Sequence, residues 1–136
     1  MRVESRARSR ALQALYAWDM RDGTALDRVA QQVWDDLAVS QAEQHFAGFL
    51  VRILIARGDE IDKSLSAVTT NWRLSRIGAI ERSVLRLAIA ELLQGTTPPR
   101  VVIKESVRLA ERYGSEQSAR FVNGVLDAYA RQQGML

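Results

Sequence analysis

Four arginines fall within the first ten residues, at Arg2, Arg6, Arg8 and Arg10, against a single acid, Glu4. Residues 11–136 then hold 15 basic and 15 acidic groups, so the whole formal excess of +3 sits at the N-terminal end. Charge concentrated in this way points to a polyanion more directly than an overall basic balance does. Arg2 and Arg6, and again Arg6 and Arg10, are one helical turn apart, while Arg8 points elsewhere. A second set, Arg100, Lys104, Arg108 and Arg112, is spaced by four throughout and drifts slowly round one helix face. Glu105 and Glu111 lie off that line. Taken alone, the first set reads as a solubilising tail about as well as a polyanion arm, and the second as a solvated face. Two basic elements in one small chain favour a polyanion partner, each contacted phosphate adding roughly one unit to the salt dependence of binding.

Aromatic residues beside such cations matter because single-stranded bases stack on them. Tyr16 and Trp18 follow the arginine cluster, and Phe121 follows Arg120. Core packing is the plainer role for Trp18 and Trp72, whereas Tyr16 and Phe121 adjoin polar helix positions. The segment Phe121–Asp127 places Asn123 and Gly124 inside an otherwise good helix, where glycine costs roughly 1 kcal/mol against alanine. Close packing of a neighbouring helix is the plainer reason for Gly124. Asn123 could read a base edge or cap a buried backbone group.

Catalytic chemistry finds little support. There is no cysteine, and the one histidine, His45, lacks the spaced partners of a metal site. No glycine-rich phosphate loop and no nucleophile elbow occurs. Asp35-Asp36 and the acids of Asp59–Asp62 read as helix-surface and first-turn residues, which favour a helix dipole.

The elements that must position these residues are helical. The 136 residues are 47% hydrophobic and 26% charged, enough for a core and consistent with one domain spanning 1–136. No apolar run approaches a membrane span, and Ala11–Trp18, broken by Gln13, does not read as a signal peptide. A cytoplasmic protein is expected. Apolar periodicity predicts seven helices. The first runs from about Val3 to Met20. Thr24 with Asp27, and Ser40 with Glu43, form capping boxes that open the second and third. Gly58 closes the third, and a fourth runs from about Asp59 to Val68. Ser75 caps a fifth, which ends at Gly95 and is apolar around most of its girth, so it belongs at the centre. The Pro98-Pro99 connector leads to a sixth ending at Gly114, and Ser115 caps the seventh. Short loops between helices mean an all-α bundle.

Three stretches together carry a family likeness: R-x-R-x-x-A-L-Q-A-L-Y-x-W at Arg6–Trp18, L-R-L-A-I-x-E-L at Leu85–Leu92, and P-x-x-V-x-I-x-E at Pro98–Glu105 followed by F-V-N-G-V-L-D at Phe121–Asp127. In this order and spacing the chain resembles the NusB family of bacterial transcription antitermination factors over nearly its whole length. The resemblance implies two small helical bundles sharing a central long helix, no enzymatic activity and no cofactor. It implies binding of boxA RNA together with NusE, a small-subunit ribosomal protein. It also implies entry into a complex with NusA, NusG and RNA polymerase that suppresses termination, notably in ribosomal RNA operons. Some relatives form homodimers, which the sequence leaves open here. The RNA set it implies is Arg6, Arg8, Arg10 and Gln13, with Phe121 and, less directly, Asn123. Arg2, Arg100 and Lys104 join that set as cations of the same two basic elements. Tyr16 and Glu81 match positions expected at NusE, and Arg76 and Arg82 are added from their place on the same helix surface. The chain departs from the family pattern at Lys104-Glu105-Ser106, where N-E-A is usual, and at Pro99, where an aromatic commonly precedes the basic Arg100. The alternatives are a helical protein-interaction module and an RNA-binding relative of the NusB-like domain fused to some RNA methyltransferases. No methyltransferase part is expected within these 136 residues.

Overall fold

The computed structural model describes residues 2–70 and 73–136. Trp72, expected in the core, lies outside the described residues. Six α-helices and one short 3₁₀ turn make up the fold: α1 (Val3–Asp19), α2 (Leu26–Asp36), α3 (Gln41–Val68), the turn Leu74–Arg76, α4 (Ala79–Gln94), α5 (Pro99–Tyr113) and α6 (Glu116–Gln132). Among the described residues no helix is long and apolar enough to cross a membrane.

Local chemistry sets several boundaries as the sequence predicts. The Ser40 hydroxyl accepts from the Glu43 amide (3.2 Å) and donates to its carboxylate (2.8 Å), opening α3. Ser115 caps α6 by accepting from the Ser118 amide (3.1 Å). Gly95 closes α4 in the left-handed region at φ 77°, where other residues are strained. At Gly114 a side chain is excluded for another reason. A Cβ there would lie 2.6 Å from the Ser118 hydroxyl and 2.8 Å from the Ala110 carbonyl, so the α5–α6 corner needs a residue without one.

Tertiary packing overrides the sequence pattern at three places. Gly58 does not end a helix: the expected third and fourth helices are one, α3, kinked at Arg57 (φ −125°, ψ 21°). Ile61 and Leu65 beyond the kink are buried in the same core as Leu50 and Leu54 before it, and that burial carries the helix through. Thr24 caps nothing, because α2 starts at Leu26, with Ala25 before it and no side-chain cap. Burial of Leu26 fixes that start. Ser75 lies in the 3₁₀ turn, and α4 opens later, after Gly78. Arg82 reaches back from α4 and donates to the carbonyls of Leu74 (3.2 Å) and Ile77 (2.6 Å), holding the turn out of the helix.

Helices α1, α2 and α3 pack together as one bundle, and α4, α5 and α6 as a second. The shared element is α4, which also packs on α1 and α3. Its residues from Ser83 to Leu92 are buried except Arg86, so it is central as expected, though α3 is the longer helix. The Trp34 indole of α2 donates to the Arg10 carbonyl (3.0 Å), tying α2 to α1.

Candidate nucleic-acid interface

Arg6, Arg8 and Arg10 are helical, and the twist of α1 sends them to different tasks. Arg2, at the N-cap, is exposed. Arg6 lies 3.6 Å from the Glu43 carboxylate with 43% of its side chain exposed. Arg10 is half-buried, 3.3 Å from the same carboxylate, and donates to the Gln13 side chain (3.2 Å). Two cations and the Ser40 hydroxyl thus meet at one acid. The hydroxyl first, then Arg10 and Arg6, hold the Glu43 carboxyl below its ordinary range, against the opposing effect of burial.

Arg8 must be withdrawn from the polyanion set. It is only 6% exposed. Its guanidinium makes a two-pronged contact with Glu91 of α4 (2.8 and 2.6 Å) and reaches Glu105 of α5 (3.0 Å), while lying over the Phe46 ring of α3. Burial opposes the charge, yet the hydrogen bonds and field of Glu91, with the field of Glu105, raise the Arg8 pKa. Arg8 is therefore a charged strut that fixes α1 against α4 and α5. The sequence held two signals of it. Arg8 stands off the line of Arg2, Arg6 and Arg10, and Glu91 interrupts the apolar run of residues 87–93 in α4.

On α5, Arg100, Lys104, Arg108 and Arg112 are all exposed. Arg100, Lys104 and Arg108 line a groove of about 400 Å³ between α5 and α6, with Asn123 on its far wall. Gly124 corrects an expectation, since an added Cβ would meet nothing within 4 Å and no helix packs there. The Asn123-Gly124 step instead leaves open surface.

Phe121 does not join Asn123. The two are about 200° apart round α6, and Phe121 lines a separate depression of about 250 Å³ with Arg76, Gly78, Glu81 and Ser118. The Ser118 hydroxyl donates to the Glu81 carboxylate, which orients it. A residue expected at RNA therefore adjoins two expected at a protein partner. Tyr16 is exposed on α1. Arg82 must leave the partner set, because besides the two carbonyls it pairs with Asp19 (2.5 Å). Arg86, which carried no role in the sequence reading, shares Asp19 (3.1 Å), pairs with Asp62 of α3 (2.9 Å) and lies over the Trp18 ring. Trp18 is thus half-buried at the edge of the core.

This geometry supplies surface cations, exposed aromatic and amide groups, and buried ion pairs that brace them. Comparison with known proteins agrees with it. The NusB family model matches residues 5–131. The transcription antitermination protein NusB of Anaeromyxobacter dehalogenans (strain 2CP-1) is 43% identical over 127 residues, covering 93% of this chain and 89% of its own. Among solved structures, NusB of T. maritima superposes with a TM-score of 0.86 at 32% identity, over 94% of this chain and 90% of that one. A chain from the crystal structure of antitermination factors NusB and NusE in complex with dsRNA gives 0.88 at 30% identity, over 97% and 98%. With the helices, the motifs and the family model coinciding over almost its full length, the chain belongs to the NusB family.

Proposed function

We propose that the chain, acting as one domain over residues 1–136, is an RNA-binding transcription antitermination factor without enzymatic activity. It takes boxA of nascent RNA together with NusE and joins NusA, NusG and RNA polymerase in the cytoplasm. The observation that carries this reading is the exposed cationic surface of α5, which faces Asn123 across one open groove and borders α1 through a second depression lined by Ser5 and Arg108. Arg2, Arg6, Arg100 and Lys104 hold phosphates. Asn123 and Phe121 meet bases, since sequence is read at base edges and faces rather than at phosphates. Arg10 and Gln13 border the same end of α1. Tyr16, Arg76 and Glu81 meet NusE, and because Phe121 adjoins Arg76 and Glu81, RNA and NusE share a boundary there. Binding of either then strengthens binding of the other by the same factor.

The test replaces Arg6, Arg100 and Lys104 by Gln and follows boxA RNA by fluorescence anisotropy at several salt concentrations. Loss of three single-strand phosphate contacts lowers the salt slope by about 2, while the melting temperature stays within a few degrees. An unchanged titration would instead favour a module that binds only protein.

A further inference from the structure

We propose that Arg108 and Arg112 of α5, beside a depression that α5 shares with α1, form a second phosphate-binding stretch. It carries RNA flanking boxA out of the α5–α6 groove, across α5, to the arginine end of α1. The inference rests on the RNA-binding reading above and extends it to residues outside that set.

The twist of α5 sets the path. Each four-residue step rises about 6 Å and turns about 40°, so Arg100 to Arg112 covers about 18 Å and about 120°. The cations therefore begin beside α6 and end beside α1. Two depressions mark the ends. The α5–α6 groove holds Arg100, Lys104 and Asn123. A second depression, of about 340 Å³, lies between α1 and α5 and is lined by Ser5, Ser9 and Arg112. Arg108 lines both, so the two are continuous over its side chain. Arg2 and Arg6 stand within a turn of Ser5 on α1, which joins the two basic elements into one track.

The acids along the track are mostly spent on other partners. Asp127 is held by Arg131 (2.9 Å). Glu105 takes the Ser5 hydroxyl and the buried Arg8. The Arg108–Glu105 contact is long, at 3.4 Å, and exposed, so a phosphate can displace it. Arg100, Lys104 and Arg112 have no carboxylate partner among the described residues, and Arg112 lies over the Tyr113 ring. Glu111, which lines the α1–α5 depression, and Glu4, beside Ser5, are the opposing charges left exposed along the track. Cations strung over this length and curve suit a flexible chain of phosphates and not one small anion.

The double variant R108Q/R112Q, in the full chain, tests this with two RNAs: boxA alone and boxA with flanking nucleotides on both sides. Wild type should bind the flanked RNA more tightly. The variant should lose the gain from the flanks and show a salt slope shallower by about 1.4 on flanked RNA, against no more than about 0.7 on boxA alone, where only Arg108 borders the groove. At 0.1 M salt the slope change on flanked RNA corresponds to about 25-fold, taking 1 M as the reference. E111Q should strengthen flanked binding. A wild-type chain that gains nothing from flanks, or a double variant that keeps the gain, overturns the inference alone. Displacement of flanked RNA by polyglutamate as effective as by unlabelled RNA would assign the track to an acidic protein. A wild-type chain that binds neither RNA overturns the RNA-binding reading as well.

Discussion

Arg8→Ala should unfold the protein more readily without acting through RNA. Removing the guanidinium leaves Glu91, only 2% exposed, as an uncompensated charge in the centre of the fold. Breaking a buried pair in this way costs about 3–5 kcal/mol, and the lost contact over the Phe46 ring falls within that range. An unfolding entropy of about 2.1 cal/mol/K per residue, over 136 residues, makes each kcal/mol worth roughly 3.5 °C. The expected fall in melting temperature is therefore about 10–17 °C. Arg6→Ala, by contrast, removes an exposed ion pair and should change stability by under about 1 kcal/mol. Thermal unfolding followed by circular dichroism at pH 7 distinguishes the two. RNA titration well below both transitions should show the larger loss for Arg6→Ala. The double variant R8M/E91L removes both buried charges and should recover part of the stability lost by Arg8→Ala. An Arg8→Ala protein that melts within about 3 °C of wild type, with RNA binding lost more than in Arg6→Ala, would refute this assignment.

Further outcomes follow from the same structure. Glu43 has a folded pKa lowered below the ordinary value of 4.5. Its contribution is therefore complete above that value and disappears as pH falls through the lower folded value. Glu43→Gln should flatten the acid limb of melting temperature against pH below about 4.5, and an unaltered limb contradicts the Ser40–Arg10–Arg6 cluster. Gly124→Ala fills open space on a helix and should gain roughly 1 kcal/mol, read as a rise of about 3 °C. A fall would mean that a contact there has been missed. Gly95→Ala forces a side chain into the left-handed region and should cost about 1–2 kcal/mol in a denaturant titration, whereas a neutral result would show that α4 can end in another conformation. Asp19→Ala leaves Arg82 and Arg86 without their shared carboxylate and should cost about 2–3 kcal/mol. A loss below about 0.5 kcal/mol would show that the remaining partners suffice.

Where a local residue sets a boundary, the sequence discloses it. Ser40, Gly95 and Ser115 act on backbone groups within four positions of themselves. Boundaries set from a distance are hidden. Nothing near Gly58 announces that Ile61 and Leu65 share a core with Leu50, and nothing near Ser75 announces that Arg82 will claim the carbonyls of Leu74 and Ile77. The site divides in the same way. Spacing by four put Arg100 and Lys104 on one exposed face, as the structure does. The family likeness gave Arg6, Arg8 and Arg10 a common role, but a motif does not say which face of α1 meets Glu91 and Glu105. Phe121 and Asn123 stand two residues apart in one motif, yet the helix turns them into different grooves.

Joint recognition of RNA by this chain and NusE underlies the proposed function. Anisotropy titrations of boxA RNA and a scrambled RNA of equal length, each with and without saturating NusE, test it most directly. Binding should be tighter to boxA than to the scrambled strand, with a further gain when NusE is present and the same fold-gain in NusE affinity when boxA is present. Equal affinities for the two RNAs, unaltered by NusE, would contradict it.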